Sequence, residues 1–214
     1  MNKLEKALSG FLNHNKLTGL LAQVLTRASK KGRVSYHDVA KIANDNIEDV
    51  LLLGNEWRLL LPVKTIKSAA WEDRLLLAEP GDLYEVPNII KYLVEDAGKT
   101  GNWNSEYAII ELFREMGEPV WERIPRLVEW LCEQAKDYRI SAFQIEEICS
   151  ELGLADRVNA LIAELKGSGV MSPKLGSLAE VSRVGTPVYE LNPSLFVEKG
   201  DKGGWLPEVS SGAV

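Results

Sequence analysis

Apolar residues recur at helical spacing in two separate stretches of the chain. In each stretch they fall on one face of a helix with 3.6 residues per turn, which predicts two amphipathic helices. The first stripe comprises Leu20, Leu21, Val24, Leu25 and Ala28, and the second comprises Ile124, Leu127, Val128, Leu131, Cys132 and Ala135.

A short basic and β-branched step follows each stripe, and a serine follows the step. The steps are Arg33-Val34 and Arg139-Ile140, and the serines are Ser35 and Ser141. Serine is a favoured N-cap, and a polar residue three positions later, Asp38 or Gln144, completes a capping box or a close relative of it. A second helix is therefore predicted to begin after each serine.

The two stretches correspond at one constant offset of 106 residues. The offset pairs Leu21 with Leu127, Leu25 with Leu131, Arg33 with Arg139, Val34 with Ile140, Val39 with Ile145, Ile42 with Ile148, and Ala43 with Cys149. A match in register across two helices and their connection favours two copies of one supersecondary unit over chance patterning.

The second copy continues as a helix-turn-helix with a hairpin. Gly153 ends its second helix, Asp156 is suited to cap a third, and Gly167 and Gly169 stop that third helix. Its predicted stripe consists of Val158, Leu161, Ile162 and Leu165. Residues 170–175, confined by Pro173 to an edge or strand end, and residues 187–191 are the two predicted strands of the hairpin.

Residues 161–166, 169–175 and 189–196 resemble the third helix and wing of winged-helix transcriptional regulators of bacteria and archaea. The likeness covers about a third of the second half of the chain. It implies a winged helix-turn-helix fold and, through the usual role of that fold, DNA binding.

The first copy is predicted by its register with the second. Residues 44–46 are the turn, 47–59 the third helix, and 60–63 with 74–78 the wing strands, where Pro62 plays the part of Pro173. The apolar run 51–53 is wider than one stripe requires, so this helix is expected to contact a neighbouring domain or a second subunit as well.

The predicted fold class is mainly α with small β wings, as two winged helix-turn-helix domains joined by a helical linker. Residues 88–97 and 105–116 are the linker helices. The predicted domains are 1–82, which starts with a short amphipathic helix, a linker at 83–117, a second winged domain at 118–197, and a flexible tail at 198–214.

Charge differs between the two halves. The chain carries a formal net charge of −6, but residues 1–100 hold 14 basic and 13 acidic side chains, against 11 and 18 in residues 101–214. Attraction to phosphates depends on clustered Lys and Arg, so any DNA-binding bias is expected in the first half.

Other features of the composition suggest a cytoplasmic protein. No apolar run is long enough to span a bilayer, and residues 1–10 lack the apolar core of a signal peptide. Cys132 and Cys149 both fall on apolar helix faces, as reduced structural thiols do.

Motifs for catalysis, metals and cofactors are missing from the sequence. It contains no phosphate-binding glycine loop, no zinc-ligand spacing and no nucleophilic serine elbow. His37 is expected on a helix surface, and Glu146 and Glu147 point about 100° apart, so they do not form a catalytic pair. We therefore predict a binding protein without cofactor or metal, and not an enzyme.

DNA binding is the first hypothesis for the partner. The third helix of the first copy opens with two acids, Glu48 and Asp49, which disfavour its entry into a groove. The candidate DNA contacts are Lys30, Lys31, Arg33, Arg58, Lys64 and Lys67 in the first copy, and Arg157, Asn159, Lys166, Lys174 and Arg183 in the second.

A protein-interaction adaptor in a larger complex, or a homodimer, is the alternative. It draws on the acidic second half and on the tryptophans, which are favoured at interfaces but also fill seams between small helical domains. The tryptophans are Trp57, Trp71, Trp103, Trp121, Trp130 and Trp205. No effector site for a small molecule is predicted.

Overall fold

The structure, a computed structural model, describes residues 1–13, 15–66, 70–174 and 185–197. Within these residues it is mainly helical, with two small antiparallel sheets. The helices are α1 (Lys3–Leu8), α2 (Asn15–Lys31), α3 (Tyr36–Ala43), α4 (Ile47–Glu56), α5 (Asn88–Thr100), α6 (Ser105–Glu115), α7 (Ile124–Gln134), α8 (Ala142–Glu151) and α9 (Val158–Ser168). The strands are β1 (Arg33–Ser35), β2 (Leu61–Pro62), β3 (Leu83–Glu85), β4 (Arg139–Ser141), β5 (Met171–Lys174) and β6 (Val188–Leu191).

Both predicted serine caps are present. The Ser35 hydroxyl accepts a hydrogen bond from the Asp38 backbone N–H at the start of α3, 3.1 Å away. Ser141 does the same for Gln144 at the start of α8, where the Gln144 side chain also accepts from the Ser141 backbone N–H. Each cap satisfies donors that the first helical turn leaves unpaired, which fixes where these helices begin.

The two sheets have the same strand order and matching registers. The orders are β1-β3-β2 and β4-β6-β5, so in each sheet the last strand in the chain lies in the middle. Val34 lies opposite Tyr84 in the first sheet, and Ile140 lies opposite Tyr189 in the second. In each sheet one edge strand places a proline opposite the tyrosine of the middle strand: Pro62 of β2 lies opposite Tyr84, and Pro173 of β5 lies opposite Tyr189. The correspondence predicted between the two prolines is confirmed. Both lie in edge strands, where the backbone N–H that proline lacks is not required by a further neighbouring strand.

Several predicted boundaries are wrong. Residues 74–78, expected as a wing strand, form only an isolated bridge between Arg74 and Thr65. The partner of β2 is β3, which falls in the stretch predicted as helical linker. α4 ends at Glu56, three residues early, and the Asp156 side chain does not cap α9, whose N-cap residue is Arg157. The predicted tail, 198–214, lies outside the described residues.

One hydrophobic core runs through both halves of the described chain. α1 packs on α2 and α5, α5 packs on α6, and α6 packs on α7, so the helices between the sheets are part of the core. Trp103 lies at this junction, where its indole N–H donates to the Ser194 carbonyl, 2.8 Å away. The apolar face of each helix is thus covered by its neighbours.

No helix within the described residues has both the length and the apolar character needed to cross a bilayer.

Candidate polyanion-binding face

Arg58, predicted as a DNA contact, joins the two halves of the chain. Its guanidinium donates to Glu190 Oε1 from Nε at 3.0 Å and from Nη2 at 2.7 Å, and it lies over the Trp71 ring. Both charged side chains are largely buried, at 15% and 17% exposure. The Nε and Nη2 donors of Arg58 are therefore used inside the protein, and its contact with DNA stays a prediction.

Two further cations from the predicted set are also paired internally. Arg157 Nη2 lies 2.8 Å from Glu118 Oε2, whose side chain is fully buried. Lys174 forms an ion pair with Glu72 across the two halves. Both cations are thus compensated by carboxylates within the chain, and the DNA contacts predicted for them stay predictions.

The other predicted contacts divide into exposed residues and residues outside the description. Lys30, Lys31, Arg33 and Lys64 are exposed in the first half, and Asn159 and Lys166 are exposed on α9. Lys67 and Arg183 lie outside the described residues.

Three of these exposed cations, Lys30, Lys31 and Arg33, belong to a larger group of cations near the start of the chain. Residues 1–33 contain seven basic side chains and one acidic side chain, in a chain whose net charge is −6. All seven cations are exposed. We call them the α1–α2 basic face: Lys3, Lys6, Lys16, Arg27, Lys30, Lys31 and Arg33. The single acid, Glu5, is occupied in the capping box of α1, where it accepts from the Asn2 backbone N–H.

Four of these cations form a stripe along α2. An α-helix turns 100° per residue, so Arg27, Lys30 and Lys31 lie within about 60° of Lys16 around the helix axis. Lys31 lies 15 positions after Lys16, which makes the stripe roughly 22 Å long at a rise of about 1.5 Å per residue. The opposite face of α2 is apolar and buried, so the helix has no other surface on which to place its charges.

An open groove of about 530 Å³ lies over the C-terminal half of this stripe. Arg27, Lys30 and Lys31 line it, with Asn2 from α1 and Ile42 from α3 at its sides. No carboxylate lines the groove. Among the described residues, neither Lys30 nor Lys31 has an ion-pair partner, so both ammonium groups face solvent.

Arg27 is the one groove cation with a carboxylate partner. Its Nη2 lies 2.5 Å from Asp38 Oδ1. Partial burial raises the pKa of Asp38, but the hydrogen bond from Ser35 and the charge of Arg27 outweigh it and leave the pKa below its ordinary value. Asp38 is therefore ionised at neutral pH and offsets part of the groove's charge.

The third helices, α4 and α9, carry fewer exposed cations than α1 and α2. The exposed residues of α4 are Glu48, Asp49, Leu52 and Glu56, and the helix contains no Lys or Arg. On α9, the internal pairing of Arg157 leaves Lys166 as the exposed cation, beside Asn159 and small alanines. Exposed cations are thus more numerous on α1 and α2 than on α4 and α9.

The tryptophans lie mostly in seams. Trp71 and Trp103 are buried, at 6% and 5% exposure. Phe11 packs between Trp57 and Trp103, with ring centroids 5.0 and 5.4 Å away. Trp121 and Trp130 are partly buried, and Trp205 lies outside the described residues. These rings therefore contribute to packing inside the chain more than to a free interface.

The cysteines and acids give no sign of a metal site. Neither Cys132 nor Cys149 forms a disulfide within the described residues, and burial raises the pKa of the Cys149 thiol to about 11. No group of three or more His, Cys, Asp or Glu side chains within the described residues is arranged to hold a metal ion.

Four cations of the basic face were missed from the sequence: Lys3, Lys6, Lys16 and Arg27. The signal that could have found them is local charge, because seven cations against one acid in 33 residues stand out once the count is taken over short windows. Their helical spacing along α2 would have placed four of the seven on one side.

The chain belongs to a protein family whose model matches residues 2–200, a family of uncharacterised function. No curated protein and no solved structure matches the chain.

Proposed function

We propose that this chain is a tandem winged-helix protein that binds the phosphate backbone of DNA through the α1–α2 basic face. In this proposal it is a binding protein and not an enzyme, and a role in transcription regulation follows from the usual work of the fold.

The order of elements supports the winged-helix part of the proposal. Each half runs helix, strand, helix, turn, helix and two strands, with the first strand paired to the last. This is the order of a helix-turn-helix followed by a wing whose hairpin joins the strand between the first two helices. Arg58 and Gly169 occupy equivalent positions in the two copies. Each comes just after the third helix and has a positive φ, 52° for Arg58 and 82° for Gly169.

The concentration of exposed cations on α1 and α2 is the observation that carries the DNA part of the proposal. Clustered cations release counterions from a nucleic acid, and this term supplies most of sequence-independent affinity. Lys30 and Lys31 also lie in the last turn of α2, where a cation complements the helix dipole. That role does not account for Lys3, Lys6 and Lys16, which are not part of the last turn of α2.

Fluorescence anisotropy with a labelled 20-base-pair duplex at low salt tests the proposal. We expect the double variant Lys30→Ala/Lys31→Ala to bind at least tenfold more weakly than the native chain, because two phosphate contacts are lost. The matched control is Lys136→Ala/Lys166→Ala, which removes two exposed lysines from the second half and should change affinity by less than threefold. Equal losses of affinity in the two variants would show that binding depends on the total charge and not on the α1–α2 basic face. No duplex binding by the native chain would overturn the proposal.

A protein-binding adaptor is a second candidate function, favoured by the outer face of α4. This face combines Glu48, Asp49 and Glu56 with Leu52, which is 49% exposed, and such a surface repels DNA. The adaptor hypothesis predicts a measurable loss of partner capture by Leu52→Ala/Glu56→Ala together with unchanged duplex binding. A native chain that binds duplex tightly and captures no partner would contradict it.

A further inference from the structure

Glu118, Arg157 and Glu164 come from three parts of the chain and meet beneath α9. Glu118 lies in the connection between α6 and α7, Arg157 in the turn that precedes α9, and Glu164 on α9 itself. Arg157 Nη2 lies 2.8 Å from Glu118 Oε2 and 3.8 Å from Glu164 Oε1. One cation is thus shared unequally between two carboxyl groups.

The site leaves polar atoms unsatisfied. The Glu118 side chain is fully buried, and its second oxygen accepts from the Val120 backbone N–H at 3.1 Å. Glu164 Oε2 and Arg157 Nε are buried without a hydrogen-bond partner. A buried oxygen without a donor is costly in a carboxylate, but in a carboxylic acid it can carry the proton and donate to a neighbour.

The surroundings of Glu164 supply one carboxylate and one cation. Glu118 faces it from the α6–α7 connection, and Arg157 faces it from the turn before α9. Charged groups on the other elements packed against α9 do not pair with Glu164. Lys174 on β5 pairs with Glu72, and Lys91 on α5 donates a hydrogen bond to Asn88. Glu147 and Glu151 on α8 are exposed to solvent.

We propose that Glu118, Arg157 and Glu164 form a proton-operated latch that sets how firmly the first turns of α9 are held against the α6–α7 connection. With a proton on Glu164, its acid group donates to Glu118, and Arg157 balances the single remaining charge. When that proton leaves, the fully buried Glu118 carboxylate and the partly buried Glu164 carboxylate share one guanidinium, and the contact weakens. The latch does not depend on the DNA-binding proposal, since it concerns only how α9 is attached.

The two carboxyl groups differ in acidity in the way this arrangement requires. Burial, together with the hydrogen bond to Glu118 and the negative charge of Glu118, raises the pKa of Glu164 to about 7. Burial also acts on Glu118, but hydrogen bonds from Glu164, Val120 and Arg157 outweigh it and hold the pKa of Glu118 below its ordinary value. The proton is therefore exchanged on Glu164, near neutral pH.

Carboxyl-carbon NMR of the full chain, titrated from pH 4 to pH 9, tests the latch. We expect one glutamate, assigned to Glu164 by its loss in Glu164→Gln, to titrate near pH 7. Replacing its neighbour in Glu118→Gln should move that inflection at least one unit lower, because a neutral amide no longer repels the second charge. The matched control Glu147→Gln should leave it in place.

Amide hydrogen exchange supplies the structural readout. After correction for intrinsic rates, protection in the first turns of α9 should fall at least fivefold between pH 6 and pH 8 in the native chain, and this change should vanish in Glu164→Gln. An inflection of Glu164 near pH 4.5 in the native chain would overturn the proposal. Unchanged protection of the α9 amides across the titration would also overturn it. The carboxyl-carbon titration and the amide exchange of the native chain test the proposal even if a variant fails to fold.

Discussion

Arg58 and Glu190, 132 positions apart, form a largely buried ion pair with Nη2 and Oε1 separated by 2.7 Å. Arg58 follows the third helix of the first copy, and Glu190 lies in the middle strand of the second sheet. Nearby, the Asn192 side-chain amide donates to the carbonyls of Arg58 and Gly169, two equivalent positions of the repeat. Polar contacts therefore tie the two copies together at corresponding places.

Breaking that ion pair should destabilise the whole chain. Glu190→Gln leaves the Arg58 guanidinium largely buried without a countercharge, and we expect the free energy of unfolding to fall by about 1–3 kcal/mol. Urea unfolding measures this change. The matched control Glu95→Gln removes an exposed pair with Lys99 and should leave the free energy of unfolding nearly unchanged, because solvent screens that pair. Equal costs for the two variants would show that the Arg58–Glu190 contact does not hold the halves together.

Two glycines at the end of α9 should respond in opposite directions to alanine. Gly169 has φ 82°, and a Cβ there would lie 2.6 Å from the Pro87 side chain, so Gly169→Ala should cost about 2 kcal/mol or more. Gly167 lies within the helix with nothing near its missing Cβ, so Gly167→Ala should gain about 0.5–1 kcal/mol. Thermal unfolding compares them, and a loss in both variants would contradict this description of the helix end.

The fold was predictable where it depends on local signals. Ser35 and Ser141 cap helices through contacts three residues away, so the short-range pattern was sufficient. The middle strand of the first sheet was missed because residues 74–78 are more apolar than β3. Its pairing with β1 depends on an approach of residues some 50 positions apart, which periodicity does not encode.

The candidate site was only partly predictable for the same reason. Lys30, Lys31 and Arg33 follow from charge near a helix end, and they remain exposed, although Arg33 Nη2 lies 3.7 Å from Glu85 Oε2. Arg58 and Lys174 looked equally available, but their partners, Glu190 and Glu72, lie more than 100 positions away. Whether a cation is free or paired depends on tertiary contacts, which the sequence pattern does not reveal.

Removing the carboxylate beside Arg27 should strengthen duplex binding. Asp38→Asn removes the negative charge that pairs with Arg27, and we expect affinity for a 20-base-pair duplex to rise roughly twofold to tenfold. Asp156→Asn removes an exposed charge in the second half and serves as the matched control, with little change expected. Weaker binding by Asp38→Asn would indicate that Arg27 must be held by Asp38 and that the groove's net charge is not decisive.

Stability should depend on pH through Glu164. Its pKa in the folded chain, about 7, lies above the ordinary value of 4.5, so the folded state holds the proton more tightly than the unfolded state. This contribution is fully present below about pH 4.5 and is lost as pH rises to about 7. We expect the melting temperature of the native chain to fall over that range more than that of Glu164→Gln. Parallel pH profiles for the two chains would contradict this assignment.

The salt dependence of duplex binding tests the central claim most directly. The logarithm of the association constant should fall linearly with the logarithm of salt concentration, by about 0.9 for each phosphate neutralised. We predict that Lys30→Ala/Lys31→Ala lowers the magnitude of that slope by about 2, whereas Lys136→Ala/Lys166→Ala leaves it unchanged. An unchanged slope in the first variant, or a native chain that binds no duplex even at low salt, would contradict phosphate binding by the α1–α2 basic face.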